Sequence, residues 1–138
     1  MRVYADGSAL VRYLPGGDHR DAWLGWVADH EPDLLVTSLS LSELRAAAAE
    51  QPTDVRVLAL DVAARLEVVR YFDQAVKLAS MSTAVLSPFG ALHLGVAVSH
   101  PEVDALATYD RRLALVASIH GLRVLTPGHP PHWWTPPT

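Results

Sequence analysis

The stretch "ALATYDRRLALVASIHGLRVLTPG", Ala105 to Gly128, decides the fold. The centre of "VDALATYD" is a short apolar run bounded by acids, the pattern of a buried strand. "DRRLALVASIHG" then carries apolar residues at helical spacing and ends on Gly121. "LRVLTPG" is a second strand that runs into the tail. A strand, a helix and a strand in that order indicate parallel pairing and a layered α/β fold.

The same alternation extends toward the N-terminus. "RVYA" (Arg2 to Ala5) reads as the first strand, followed by apolar spacing in "SALVRYL" and a turn at "PGGD" (Pro15 to Asp18). "HRDAWLGWVADH" is a helix expected to bury Trp23, Leu24 and Val27, and "DLLVTS" (Asp33 to Ser38) is a second strand. "SLSELRAAAAEQ" is a helix that stops before Pro52. Asp54 to Ser80 is mostly helical, with room for a short strand near Val68 and Val69. Ser87 caps a helix from Pro88 to about Ser99. The C-terminal "PGHPPHWWTPPT" is too rich in proline to be a helix or a central strand. Its Trp133 and Trp134 are expected to pack on an edge of the body, with a partner-binding role as the second reading.

With 138 residues, half of them hydrophobic and 19% charged, the chain is one folded domain and not a disordered segment. No apolar run reaches the ~20 residues of a membrane span. The N-terminus lacks a signal-peptide layout, since Asp6 interrupts it early. Zero cysteines exclude disulfides and thiolate metal sites, in keeping with an expected cytoplasmic location. A net charge of −4 speaks against a protein that coats nucleic acid generally, but not against a local basic rim.

Three acids stand where a strand hands over to a helix. Asp6 follows "RVYA", Glu43 is expected in the first turn after "LLVTS", and Asp110 follows "ALATY". Each has an ordinary explanation: Asp6 and Asp110 as helix caps, and Ser40 with Glu43 as a capping box. The C-terminal edge of a parallel sheet, however, brings strand ends toward one crevice. Three carboxylates gathered there repel one another unless a cation joins them. Oxygen ligands without cysteine suit Mg²⁺ or Mn²⁺, ions that assist phosphodiester cleavage. Ser8, two residues after Asp6, and Thr108, two before Asp110, are placed to orient a carboxylate or to serve as turn residues.

Four segments resemble the PIN domain, specifically VapC-type toxins of toxin–antitoxin pairs: "VYADGSALVRYL", "TSLSLSELRAA", "SPFGALHLGVA" and "ALATYDRRLALVASIHGLRVLTPG". The resemblance runs from Val3 to Gly128, and it assigns 1–128 to a PIN domain and 129–138 to a Pro/Trp-rich tail. It implies a three-layer α/β/α sandwich with a parallel sheet of four to five strands. It also implies a metal-dependent endoribonuclease, an RNA substrate, a VapB-like antitoxin and a homodimer. Carried over by position, Asp6, Glu43 and Asp110 match three of the family's four acids as metal ligands and catalytic groups. Thr108 matches the hydroxyl of its Thr-x-Asp motif. Arg12, Arg45, Arg111 and Arg112 lie near these acids, as guides for RNA, as contacts for an antitoxin or as solvated helix residues.

The fourth acid is missing. The third motif of the family is typically D-A-L-H-L-A, and here Gly90 occupies the first place. Three accounts remain: selected inactivation, divergence toward binding a partner, or rescue by another group such as His93. His93 lies mid-helix between Leu92 and Leu94, which favours a packed, hydrogen-bonded role over a ligand role. An impaired ribonuclease is the leading expectation, and a catalytically inactive module that holds an antitoxin or other partner is the alternative.

Overall fold

The central strands are unbroken apolar runs because both of their faces are covered. In the computed structural model, which describes residues 1–136, β1 (Val3–Ala5), β2 (Leu34–Val36) and β4 (Ala105–Ala107) are buried throughout. β3 (Glu67–Val68) and β5 (Arg123–Leu125) form the edges. The sheet is parallel, in the order β3-β2-β1-β4-β5, with Val3 level with Leu34 on one side and Ala105 on the other.

Helices cover the sheet on both faces. Strand alternation sends Val3, Ala5, Ala105 and Ala107 into one core with α1 (Gly7–Leu10), α2 (Arg20–His30), α3 (Ser38–Ala48) and α4 (Thr53–Arg65). Tyr4 and Leu106 point the other way, into a core with α5 (Asp73–Met81), α6 (Pro88–Ser99) and α7 (Arg111–Ile119). This is the expected three-layer α/β/α sandwich, with five strands.

Local chemistry sets the boundaries. Ser87 caps α6 by accepting from the Gly90 amide, and Pro88 opens the helix. Asp110 caps α7 by accepting from Leu113, and Asp6 caps α1 by accepting from Ala9. Two expectations need correction. The capping box of α3 is Thr37 with Ser40, not Ser40 with Glu43, and α3 begins at Ser38, so Glu43 lies in the second turn. Trp23 and Val27 are buried as expected, whereas Leu24 is only half-buried. Trp133 and Trp134 are half-buried and line a groove beside β5, in keeping with packing on the sheet edge. The last two residues of the tail, 137 and 138, lie outside the described residues. Among the described residues no helix is long and apolar enough to cross a membrane.

Candidate functional site

In an open parallel sheet, ligands gather beyond the carboxyl ends of strands where the strand order reverses. Here that point lies between β1 and β4. The chain leaves β1 for β2 and β3 on one side, then returns to β4 and β5 on the other. Asp6 follows β1 and Asp110 follows β4, so both stand at this crevice.

Asp6 is 4% exposed. Its Oδ1 accepts from Ser8 Oγ at 2.7 Å and from the Ala9 amide at 3.0 Å, and its Oδ2 accepts from Thr108 Oγ1 at 2.7 Å. The same Thr108 hydroxyl accepts from the Asp110 amide at 3.0 Å. One side chain just past β4 thus ties the two strand ends together. Burial pushes the Asp6 carboxyl above the usual carboxylate range, against the opposing pull of nearby His93 and of the hydrogen bonds from Thr108, Ser8 and Ala9.

Glu43, freed from capping, reaches the crevice from α3. Its Oε1 accepts from the Gly7 amide at 3.3 Å and is also bonded to His93 Nε2. Gly7 permits this approach, because a Cβ there would overlap the Glu43 side chain. His93 is 2% exposed, and its Nδ1 lies 2.6 Å from the Tyr4 hydroxyl. Burial pushes the Tyr4 phenol far up, so it keeps its proton. Ser40 Oγ, also beside Tyr4, gives its own proton to the Ala5 carbonyl. The Tyr4 hydroxyl, with one proton, is thus bonded to His93 Nδ1, to Ser40 Oγ and, at 2.9 Å, to Thr37 Oγ1, while His93 Nε2–H donates to the Glu43 carboxylate. The line Tyr4–His93–Glu43 joins β1, α6 and α3 behind the acids. Sequence reasoning missed Tyr4, Thr37 and Ser40 in this network, and it missed His93 as the partner of Glu43. The available signal was a phenol and a histidine inside otherwise apolar runs, each of which had to find a buried polar partner.

The side chains do not surround one ion. Among the described residues no three of the His, Asp and Glu side chains come close enough together to hold a metal. Asp6 and Glu43 flank Gly7, but Asp110 is exposed and turned to cap α7. The donor chemistry suits a hard cation. The donor number does not, since Gly90 supplies no carboxylate and His93 takes Glu43. As they stand, these residues do not fit a resident divalent ion.

Asp6→Asn provides a stability test of the crevice. For an acid whose folded pKa is raised, stability is fully present below the unfolded pKa, about 3.9, and falls as pH rises through the folded value. The amide variant escapes that loss. It is expected to melt with the parent near pH 4 and above it at pH 8. Thermal melts across this range check the sign.

No curated protein matches the sequence closely enough to count as a relative. Among protein families, the PIN domain matches residues 3–119, a span that takes in β1 to α7 and all three acids. The chain belongs to the PIN domain family, whose members are generally metal-dependent nucleases that act on RNA.

Proposed function

We propose that the chain is a VapC-type endoribonuclease toxin, neutralised by a VapB-like antitoxin and weakened in this form by Gly90. One observation carries the reading: Thr108 Oγ1 ties the buried Asp6 carboxylate to the Asp110 amide at the switch point of the sheet. Burying a carboxylate there opposes stability, the usual mark of a group kept for chemistry. In this reading Asp6, Glu43 and Asp110 are the catalytic acids, and Thr108 positions Asp6. Mg²⁺ or Mn²⁺ is the family's ion, and this chain lacks the donors to keep one resident. Asp6→Asn is expected to remove any residual RNA cleavage.

A second reading has its own support. Gly90 and the His93 bond to Glu43 both fit a non-catalytic module that holds an antitoxin or other partner. A calorimetric titration with Mn²⁺ separates the two. Weak binding in the millimolar range that disappears in Asp6→Asn favours the impaired nuclease. Absence of binding, together with no cleavage after an acid is restored at position 90, favours the binding module.

A further inference from the structure

The tail lies outside the family match, which stops at residue 119, and stacked rings hold it to the body. The His129 ring lies between His19 and Trp133, with centroids 4.3 Å away on each side. Tyr109 stands 6.0 Å from both histidines. The backbone is shaped for this contact. His19 sits in the left-handed region at φ 63°, uncommon for a residue with a side chain. Gly128, at φ 99°, belongs to the turn that the His129 amide closes on the Thr126 carbonyl. A Cβ on Gly128 would overlap the His19 ring, so the glycine lets that turn close on it.

Positive charge gathers around these rings without a counter-ion. The Arg12 guanidinium sits 4.7 Å over the Tyr109 ring, and its hydrogen bonds go to the carbonyls of Ser8 and Asp18. The Arg111 guanidinium sits 5.8 Å from the Trp133 ring and donates to the Trp133 carbonyl at 3.0 Å. Among the described residues none of Arg12, Arg111, His19 and His129 forms an ion pair. Asp18 and Asp110 adjoin them in sequence, but both are exposed, and Asp110 turns one oxygen to the Leu113 amide. Tyr109 stays neutral, because burial pushes its phenol up to about 12. Two fixed positive charges therefore stand here at neutral pH, and each imidazole that takes a proton adds another. In a chain of net charge −4 this is a local excess. A protonated His129 would gain from the Trp133 ring face, but it would face His19, Arg12 and Arg111 together. Burial, with His19, Arg12 and Arg111 nearby, lowers the His129 pKa. A histidine lowered in this way supports the docked tail above its free value, about 6.5, and withdraws that support as pH falls below it.

We infer that the tail from Thr126 to Trp134 is a strap released by acid: stacked on His19 at neutral pH, and pushed off as His129 and His19 gain protons. Release opens the groove of 580 Å³ between the tail and β5, an edge strand of the sheet. The device needs no RNA cleavage, so it stands or falls apart from the nuclease reading. The test is tryptophan emission of the full chain between pH 8 and pH 5, with far-UV circular dichroism recorded alongside. Trp23 is buried in the core, whereas Trp133 and Trp134 belong to the strap. Release is expected to move the emission to longer wavelength while the helix signal stays, with a midpoint below about 6.5. His129→Phe keeps a stacking ring without a proton site, and its emission is expected to stay constant over the same range. In 1 M salt, where the Debye length falls to about 3 Å, the transition of the parent should move to lower pH. Constant emission in the parent overturns the strap, as does an equal acid response in His129→Phe. A midpoint that salt leaves in place overturns it by removing charge repulsion as the cause. Emission and helix signal that change together overturn it too, since the tail then has no transition of its own.

Discussion

Gly90→Asp is expected to raise Mn²⁺-dependent cleavage of single-stranded RNA at least 10–100-fold over the chain as it stands. Loss of a partner that only supports a metal ligand typically costs that much, and a ligand-position acid should count for no less. The position is suitable on three grounds. Gly90 lies in the first turn of α6, where the helix dipole favours a carboxylate. It is three residues before His93, so the two share a helix face, and His93 already reaches Glu43. A Cβ at position 90 would meet Ser87 Oγ at 3.2 Å and Leu86 Cβ at 3.6 Å, a tight fit that a small movement of the serine side chain relieves. The helix should therefore accept the change without loss of stability. Adding Asp6→Asn to the same variant should return cleavage to background, which assigns the gain to this crevice. A folded Gly90→Asp protein that cleaves no faster than its parent removes the account of Gly90 as the missing acid.

Gly95→Ala is expected to destabilise the chain by about 3 kcal/mol or more, a fall in Tm of roughly 9–15 °C. At Gly95 the helix α6 lies against the backbone of α5. A Cβ there would overlap the Ala75 carbonyl oxygen and lie 3.0 Å from its carbon. No rotamer relieves a clash with main chain, so the two helices must separate. The family's third motif carries alanine at this place, so resemblance alone predicts a harmless or stabilising exchange. The geometry predicts the reverse, because α5 has closed into the space that a methyl group would fill. A melting temperature within about 2 °C of the parent would mean that the two helices pack more loosely than described.

The layers were legible in the sequence because each central strand is a short apolar run ended by an acid or a hydroxyl residue, and α1, α3, α6 and α7 each have a side-chain cap. Ser87 with Pro88 fixed the start of α6, and Asp110 fixed that of α7. The strand β3 was hard to place because Glu67–Val68 is a two-residue exposed edge with no periodicity to read. Glu43 was set one turn too early because Ser40 and Glu43 have the spacing of a capping box, while Thr37 made the box instead. The acids could be named from their places at strand ends, but their partners could not. Tyr4 and His93 are 89 residues apart, and Glu43 and His93 are 50 apart, so only the folded chain brings them together. That the Asp110 side chain caps α7 was equally open, since a cap and a ligand look alike along a sequence.

The Thr108 hydroxyl has one proton, which goes to Asp6, while its lone pair takes the Asp110 amide. A single oxygen atom thus joins the side chain at one strand tip to the backbone beyond the next, alongside the main-chain bond from the Asp6 amide to the Ala107 carbonyl. An isosteric valine at this place would keep the shape of the core and the main-chain bond but take one donor from the buried Asp6 carboxylate, so tolerance in packing would conceal a loss of polar pairing.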